Sequence, residues 1–230
     1  KALGVEFPSA VVLHGPPGCG KTFAVERLVE FLDWPAYHID ASSVGSPYIH
    51  ETSRKVSEIF EKAMEDAPAV IVIDEMESFL SDRQINQSSG LHHVEEVAEF
   101  LRRIPEAMTK RVLVIGMTNR LEMIDPAILR RGRFDHVIEV GMPSKKEVTE
   151  LITSLLDKMP VEGEVSIEKA ISTLKGRPLS DAAFAVREAG RLAAKGGKQM
   201  LDQDALDSAV AKLPDVPEEE KSRPIGFIWN

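Results

Sequence analysis

The chain has 230 residues, 43% of them hydrophobic, one cysteine and a formal net charge of -9. That length holds one good core, or one core with a small satellite domain. The lone cysteine excludes an internal disulfide framework, no apolar run approaches the roughly 20 residues of a membrane span, and the acidic balance argues against a surface built mainly for nucleic-acid phosphates.

Reducing, cytoplasmic conditions fit this cysteine usage best. The chain opens at Lys1 rather than Met, directly before an apolar run. It reads as a piece of a longer protein with a region upstream.

The first apolar, β-branched run is Ala10-Val-Val-Leu-His14. It is followed by Gly15-Pro-Pro-Gly-Cys-Gly-Lys21-Thr22, which matches G-x-x-x-x-G-K-[ST]. A helical pattern over about Lys21–Leu32 comes next. Strand, loop and helix in that order are the context a phosphate-binding loop needs. Glycines let backbone N–H groups turn onto phosphate oxygens, and the helix N-terminus faces the anion. Lys21 would charge-pair the terminal phosphates, and the Thr22 hydroxyl would hold magnesium. The candidate cofactors are therefore ATP and Mg2+. The contacting stretch is Gly15, Pro16, Pro17, Gly18, Cys19, Gly20, Lys21, Thr22 and Phe23. Cys19 reads as a small residue that fits the loop, with a redox switch as the alternative.

Ala36-Tyr-His-Ile-Asp40 suggests a second strand, and about Ser53–Asp66 a second helix. The next apolar run, Ala69-Val-Ile-Val-Ile-Asp74, ends in Asp74-Glu75. A carboxylate at a buried strand tip beside the loop can hold magnesium, and its neighbour can polarise a water. Two adjacent acids there are costly unless they meet a cation. Glu77 reads as a solvated surface acid. A helix is expected over about Val94–Met108, then a strand at Arg111-Val-Leu-Val-Ile-Gly116. Asn119 follows that strand and would face the same edge as Asp74, orienting the water or touching the γ-phosphate. The alternative is an ordinary turn asparagine. His136–Val140 is a further strand candidate. His92-His93 carry no metal-site spacing, since adjacent helical residues point apart.

Strands alternating with helices imply a parallel α/β sheet covered on both faces. After Pro143 only helical spacing appears. Ser144-Lys-Lys-Glu147 has the form of a capping box. Helices are expected over about Lys145–Lys158, Ser166–Leu174, Ser180–Lys195 and Asp202–Leu213, with Ser180 as a cap and Gly196-Gly197 as a stop. The tail from Val216 to Asn230 is rich in proline and glutamate, then apolar.

These motifs occur in a fixed order: Gly15–Thr22, Val70–Glu75, Gly116–Arg120, and Ile124-Asp-Pro-Ala-Ile-Leu-Arg-Arg-Gly-Arg-Phe-Asp135. In this the chain resembles the AAA subfamily of the AAA+ ATPases, which includes protein-unfolding hexamers and proteasomal ATPases. The resemblance covers nearly the whole chain. It implies a P-loop NTPase parallel five-stranded sheet flanked by helices, followed by a small all-helical lid. The corresponding boundaries are 1–142, 143–215 and a tail at 216–230. It also implies that Arg130 and Arg133 act as arginine fingers on the γ-phosphate held by a neighbouring subunit. Arg131 stands where relatives often have proline or an apolar residue.

Tyr48 and Ile49 fit a substrate-gripping pore loop, while His50 departs from the usual glycine. The competing reading is a tyrosine packed at the base of the next helix. Gly176 and Ala182 fall in a region that approaches the base or ribose, and Arg177 is expected to be solvated. The function implied is an ATP-hydrolysing homo-oligomeric ring, a hexamer, that remodels or unfolds protein substrates. The alternatives are a nucleic-acid-directed AAA+ ATPase and a regulatory ATP switch. The acidic balance weighs against the first, and a monomeric ATP-bound protein would favour the second.

Overall fold

The computed structural model describes residues 10–40, 51–81 and 91–214, with the backbone alone for 91–96. Tyr48, Ile49, His50 and the tail at 216–230 lie outside the described residues. The chain divides into two compact units on either side of Val140 and Gly141, with Gly18–Gly20 grouped with the second.

The first unit runs β1 (Ala10–His14), α1 (Lys21–Leu32), β2 (Ala36–Ile39), α2 (Glu51–Glu65), β3 (Ala69–Ile73), α3 (Glu77–Leu80), α4 (Leu91–Thr109), β4 (Val112–Thr118), a 3-10 turn (Leu121–Met123) and β5 (His136–Glu139). The strands form one sheet in the order β2-β3-β4-β1-β5. Every pairing is parallel. The composition of β3 explains its central place. Ala69, Ile71 and Ile73 join the core cluster that includes Val56 and Phe60 of α2 and Phe100 and Ile104 of α4. Val70 and Val72 point the other way and pack with Val25 of α1. Alternate side chains face opposite sides of a strand, so a strand buried on both faces must be apolar throughout. At the sheet's edge, β5 leaves Val137 and Ile138 exposed.

The second unit is helical: α5 (Lys145–Leu156), α6 (Glu168–Leu174), α7 (Leu179–Lys195) and α8 (Gln203–Ala211). The capping box at α5 is present. The Glu147 N–H donates to Ser144 Oγ at 3.3 Å, and the Ser144 N–H donates to Glu147 Oε2 at 2.7 Å. Asp202 caps α8 by accepting from the Ala205 N–H at 3.0 Å. Helix α7 stops at Gly196, and Gly197 turns left-handed with φ +76°.

Two local expectations are corrected in this unit. Ser180 does not cap α7. The helix begins at Leu179 with Pro178 at the cap position, so the Ser180 hydroxyl lies inside the first turn. Arg177 is not solvated but 8% exposed. It donates to the Pro214 carbonyl at 2.7 Å and to Asp181 Oδ2 at 3.2 Å. A buried guanidinium is tolerated when a carboxylate and a carbonyl receive its N–H groups. Among the described residues no helix is long and apolar enough to cross a membrane.

Candidate nucleotide site

Parallel register brings the ends of β1, β3 and β4, and with them Gly15, Asp74 and Asn119, to one edge of the sheet. β1 lies between β4 and β5, with His14 opposite Thr118 and Glu139. The chain leaves β1 through Gly15 at φ +145°. A Cβ at Gly15 would stand 2.1 Å from the Val140 carbonyl oxygen, so any side chain would collide with backbone there. That close approach, as much as the backbone angle, demands glycine.

Lys21 opens α1 and is 8% exposed. Its ammonium donates to the Gly15 carbonyl at 2.8 Å, the Pro16 carbonyl at 3.0 Å and Asn119 Oδ1 at 2.8 Å. The phosphate-loop lysine and the asparagine after β4 therefore meet, as adjacent parallel strands require. Thr22 is exposed and Asp74 half-buried. Both line a cavity of about 440 Å³ that also borders His38, Asp40 and Met117. Phe23 is exposed, with the Arg27 guanidinium over its ring at 5.4 Å from the centroid. Cys19 is buried, with its thiol 3.7 Å from the Met142 sulfur.

The acidic pair has an unusual backbone. Glu75 adopts φ +48°, a left-handed value rare for a residue with a side chain. Asp74 Oδ1 accepts from the Glu75 N–H at 2.9 Å, which braces the turn. Such strain clusters at functional positions. The Met76 N–H then donates to the Met117 carbonyl at 3.0 Å, tying the turn to the end of β4. Gly116 leaves room for Met76, since a Cβ there would lie 2.1 Å from the Met76 sulfur. Glu75 itself is exposed at the strand edge.

Glu77 is not the solvated acid expected. It is half-buried and accepts from Thr118 Oγ1 at 2.6 Å. Its other oxygen lies 3.4 Å from the Asn119 N–H. The sequence signal available was an acid three residues past a strand tip, whose partner lies 41 residues away.

The segment after the 3-10 turn is held by its own bonds. Ile124, Ile128 and Phe134 are buried in the main core cluster. Asp125 Oδ1 accepts from the Ala127 N–H at 2.8 Å, and Asp135 Oδ1 from the Gly132 N–H at 2.7 Å. This loop separates the two candidate finger residues. Arg130 is exposed, as is Arg131. Arg133 is half-buried and donates to the Ala127 carbonyl at 2.5 Å. In the second unit, Gly176 is exposed with φ +75°, and Ala182 is fully buried in the helical core.

The model of the ATPase family associated with various cellular activities (AAA) matches residues 11–142. The chain belongs to the AAA family. Its similarity to AAA relatives extends past that match. It is 32% identical over 215 residues to a proteasome-activating nucleotidase of Saccharolobus solfataricus, covering 93% of the chain and 55% of that protein. The counterpart in Aeropyrum pernix is 34% identical over 217 residues, covering 93% of the chain and 53% of its own length. That of Methanosarcina mazei is 30% identical over 227 residues, covering 96% and 53%. The chain thus spans about half the length of these AAA proteins.

The AAA site fits ATP with magnesium on its own chemistry. Gly15 lets the loop leave β1 tightly against the Val140 backbone, and Lys21 provides the cation. Thr22 and Asp74 put a hydroxyl and a carboxylate on one cavity. Oxygen donors of that kind suit a hard cation that completes its shell with phosphate oxygens and water.

Proposed function

We propose that this AAA module binds ATP with Mg2+, hydrolyses it to ADP and phosphate, and does so within a homo-oligomeric ring, a hexamer, that remodels or unfolds protein substrates in the cytoplasm. The observation that carries the reading is the convergence of Lys21 and Asn119, 98 residues apart in sequence, at 2.8 Å. In this reading residues 1–142 form the ATPase subdomain and 143–215 the lid.

Bound Mg2+ would draw charge from the phosphates and ready the phosphoanhydride for cleavage. Lys21 exchanges a carbonyl partner for phosphate oxygens, because an ammonium gains more from an anion than from a neutral acceptor. Thr22 and Asp74 would hold the metal. The left-handed turn at Glu75 presents its carboxylate at the strand edge, where it accepts a proton from the attacking water. Asn119 orients that water or touches the γ-phosphate. Arg130 reaches the nucleotide of an adjacent copy, neutralising charge that grows in the transition state. Arg133 serves the same end, and its bond to the Ala127 carbonyl supports a part in shaping the loop that displays Arg130. Gly176 belongs to the lid's nucleotide-facing segment, whereas Ala182, buried in the helical core, does not touch nucleotide and serves the packing behind that segment; Tyr48 and Ile49 belong to a loop that grips extended polypeptide. Similarity to the proteasome-activating nucleotidases of Saccharolobus solfataricus and Aeropyrum pernix supports a protein substrate over nucleic acid.

Replacing Glu75 with Gln tests the chemistry. ATP affinity should stay within a few-fold of the parent, while turnover falls about 100-fold or more. Equal turnover in variant and parent would overturn the assignment. Mixing Arg130→Ala subunits with Lys21→Ala subunits tests the ring. Mixed rings should regain hydrolysis that neither variant shows alone.

A further inference from the structure

We infer that Glu77 is a positioning residue for hydrolysis, one that fixes Asn119 by gripping the end of β4. The inference rests on the reading of Asn119 as the group that orients the water or the γ-phosphate. Hydrogen bonding within the sheet gives the reason such a grip is needed. The last β3–β4 pair is Ile73 with Gly116, and the last β1–β4 pair is His14 with Thr118. Asn119 lies beyond both ladders, so sheet pairing does not hold its backbone.

Glu77 supplies the missing hold. It is the first residue of α3, which follows directly from the Asp74–Glu75 turn. One carboxylate oxygen accepts from the Thr118 hydroxyl at 2.6 Å, and the other faces the Asn119 N–H at 3.4 Å. The Thr118 hydroxyl in turn accepts from the Arg120 N–H at 3.0 Å. Thr118 is fully buried. One carboxylate therefore organises three successive residues, and the middle one projects its side chain onto Lys21 at 2.8 Å. The same carboxylate is two residues from Glu75. It sets the spacing between the residue that takes the water's proton and the residue that aims the water. A displacement of about 1 Å at such a site costs up to about 100-fold in rate, because the reacting groups must be held in near-attack geometry.

The experiment compares Glu77→Ala, Glu77→Gln, Thr118→Val and Asn119→Ala in the full-length protein, with ATP and Mg2+ as the probe. Thermal midpoint, nucleotide Kd, KM and kcat are measured for each. Thr118→Val removes only the hydroxyl and keeps the buried shape, so it carries the test if Glu77→Ala does not fold. The expected result for Glu77→Ala and Thr118→Val is a kcat lower by about 10- to 100-fold, with Kd and KM within about threefold of the parent. Glu77→Gln keeps one carbonyl acceptor for Thr118 and should lose less. On an Asn119→Ala background, adding Glu77→Ala should lower kcat by less than about twofold more, since both act through one group. A purely structural role predicts otherwise: a lower thermal midpoint with kcat unchanged, or losses that multiply with Asn119→Ala. Either outcome overturns the inference. If Asn119→Ala alone leaves turnover at the parent rate, the reading of Asn119 fails first. If Asn119→Ala is impaired while Glu77→Ala and Thr118→Val are not, only the positioning by Glu77 fails.

Discussion

The core of the sheet unit holds aromatic rings, and the core of the helical unit, among the described residues, holds aliphatic side chains alone. In the first, Phe60 meets Phe100 edge-on at 6.1 Å between ring centroids, and Phe79 reaches Phe100 at the same distance. Isoleucines from β3 and the helices fill the space around them. In the second, the buried face of α7 is Ala182, Ala185, Val186, Ala189 and Ala193, and α8 faces it with Ala205, Leu206, Ala209 and Val210. Small side chains let helix backbones approach closely, so packing there depends on what is absent. Polar groups divide along the same line. In the sheet unit Lys21, Asp74, Glu75 and Asn119 gather past the ends of strands. In the helical unit Glu147 and Asp202 are spent on helix starts. The first unit needs rigid mass behind a reactive edge, and the second needs only a close fit.

That contrast predicts opposite sensitivities to volume. Removing bulk should hurt the sheet unit most. Phe60→Ala deletes a fully buried ring from the contact between α2 and α4, and should cost about 3–5 kcal/mol in urea unfolding followed by circular dichroism. A cost below about 1 kcal/mol would mean that the sheet core collapses around lost volume as readily as a loose one. Adding bulk should hurt the helical unit. Ala189→Leu places three extra carbons where a fully buried methyl now sits, and should cost about 1–3 kcal/mol by the same measurement. If that variant is as stable as the parent, the helices have room to spread, and alanine at α7 does not set their spacing.

How much of this was legible depended on the range of the determining contact. The strand at Ala10–His14 and the helix at Lys21–Leu32 carry their own instructions, and both occupy the expected residues. The capping box at Ser144 and Glu147 is equally local. The positions of Gly15, Asp74 and Glu75 are legible because strand ends fix where the next residues go. Glu77 was misread because its meaning depends on β3 lying beside β4, which no neighbouring residue encodes. Arg177 was misread for a similar reason, since one of its acceptors is the carbonyl of Pro214. Nothing local in the sequence marks Arg103 as buried. It is nonetheless buried between α2 and α4, bonded to Glu99, Glu106, Glu61 and Ser57. Burial pushes the Glu99 carboxyl up, but hydrogen bonds from Arg102 and Arg103 outweigh it and hold it below its ordinary value. A charged residue of that kind is visible only once the helices are docked.

The smallest expected effect concerns the caps of the helical unit. The Ser144 backbone N–H, and then its hydroxyl, hold the Glu147 carboxyl below its ordinary value. Lys198, and then the Ala205 N–H, do the same for Asp202. A carboxyl whose folded value is lowered binds its proton more readily when unfolded. Its contribution is therefore present above the usual carboxylate range and disappears as pH falls through the lowered folded value. Stability should be flat near neutral pH and decline in acid. Glu147→Gln keeps an acceptor for the Ser144 N–H but cannot titrate, so its thermal midpoint should fall slightly at neutral pH and less steeply than the parent's in acid. Curves for variant and parent that run parallel across the acid range would show that the capping box adds nothing to the acid sensitivity. The remaining slope would then belong to Asp202, to Glu188 and Asp207, which Arg191 and Lys169 hold below their ordinary values, and in the sheet unit to Glu99, where a carboxylate braces helix packing rather than a helix start.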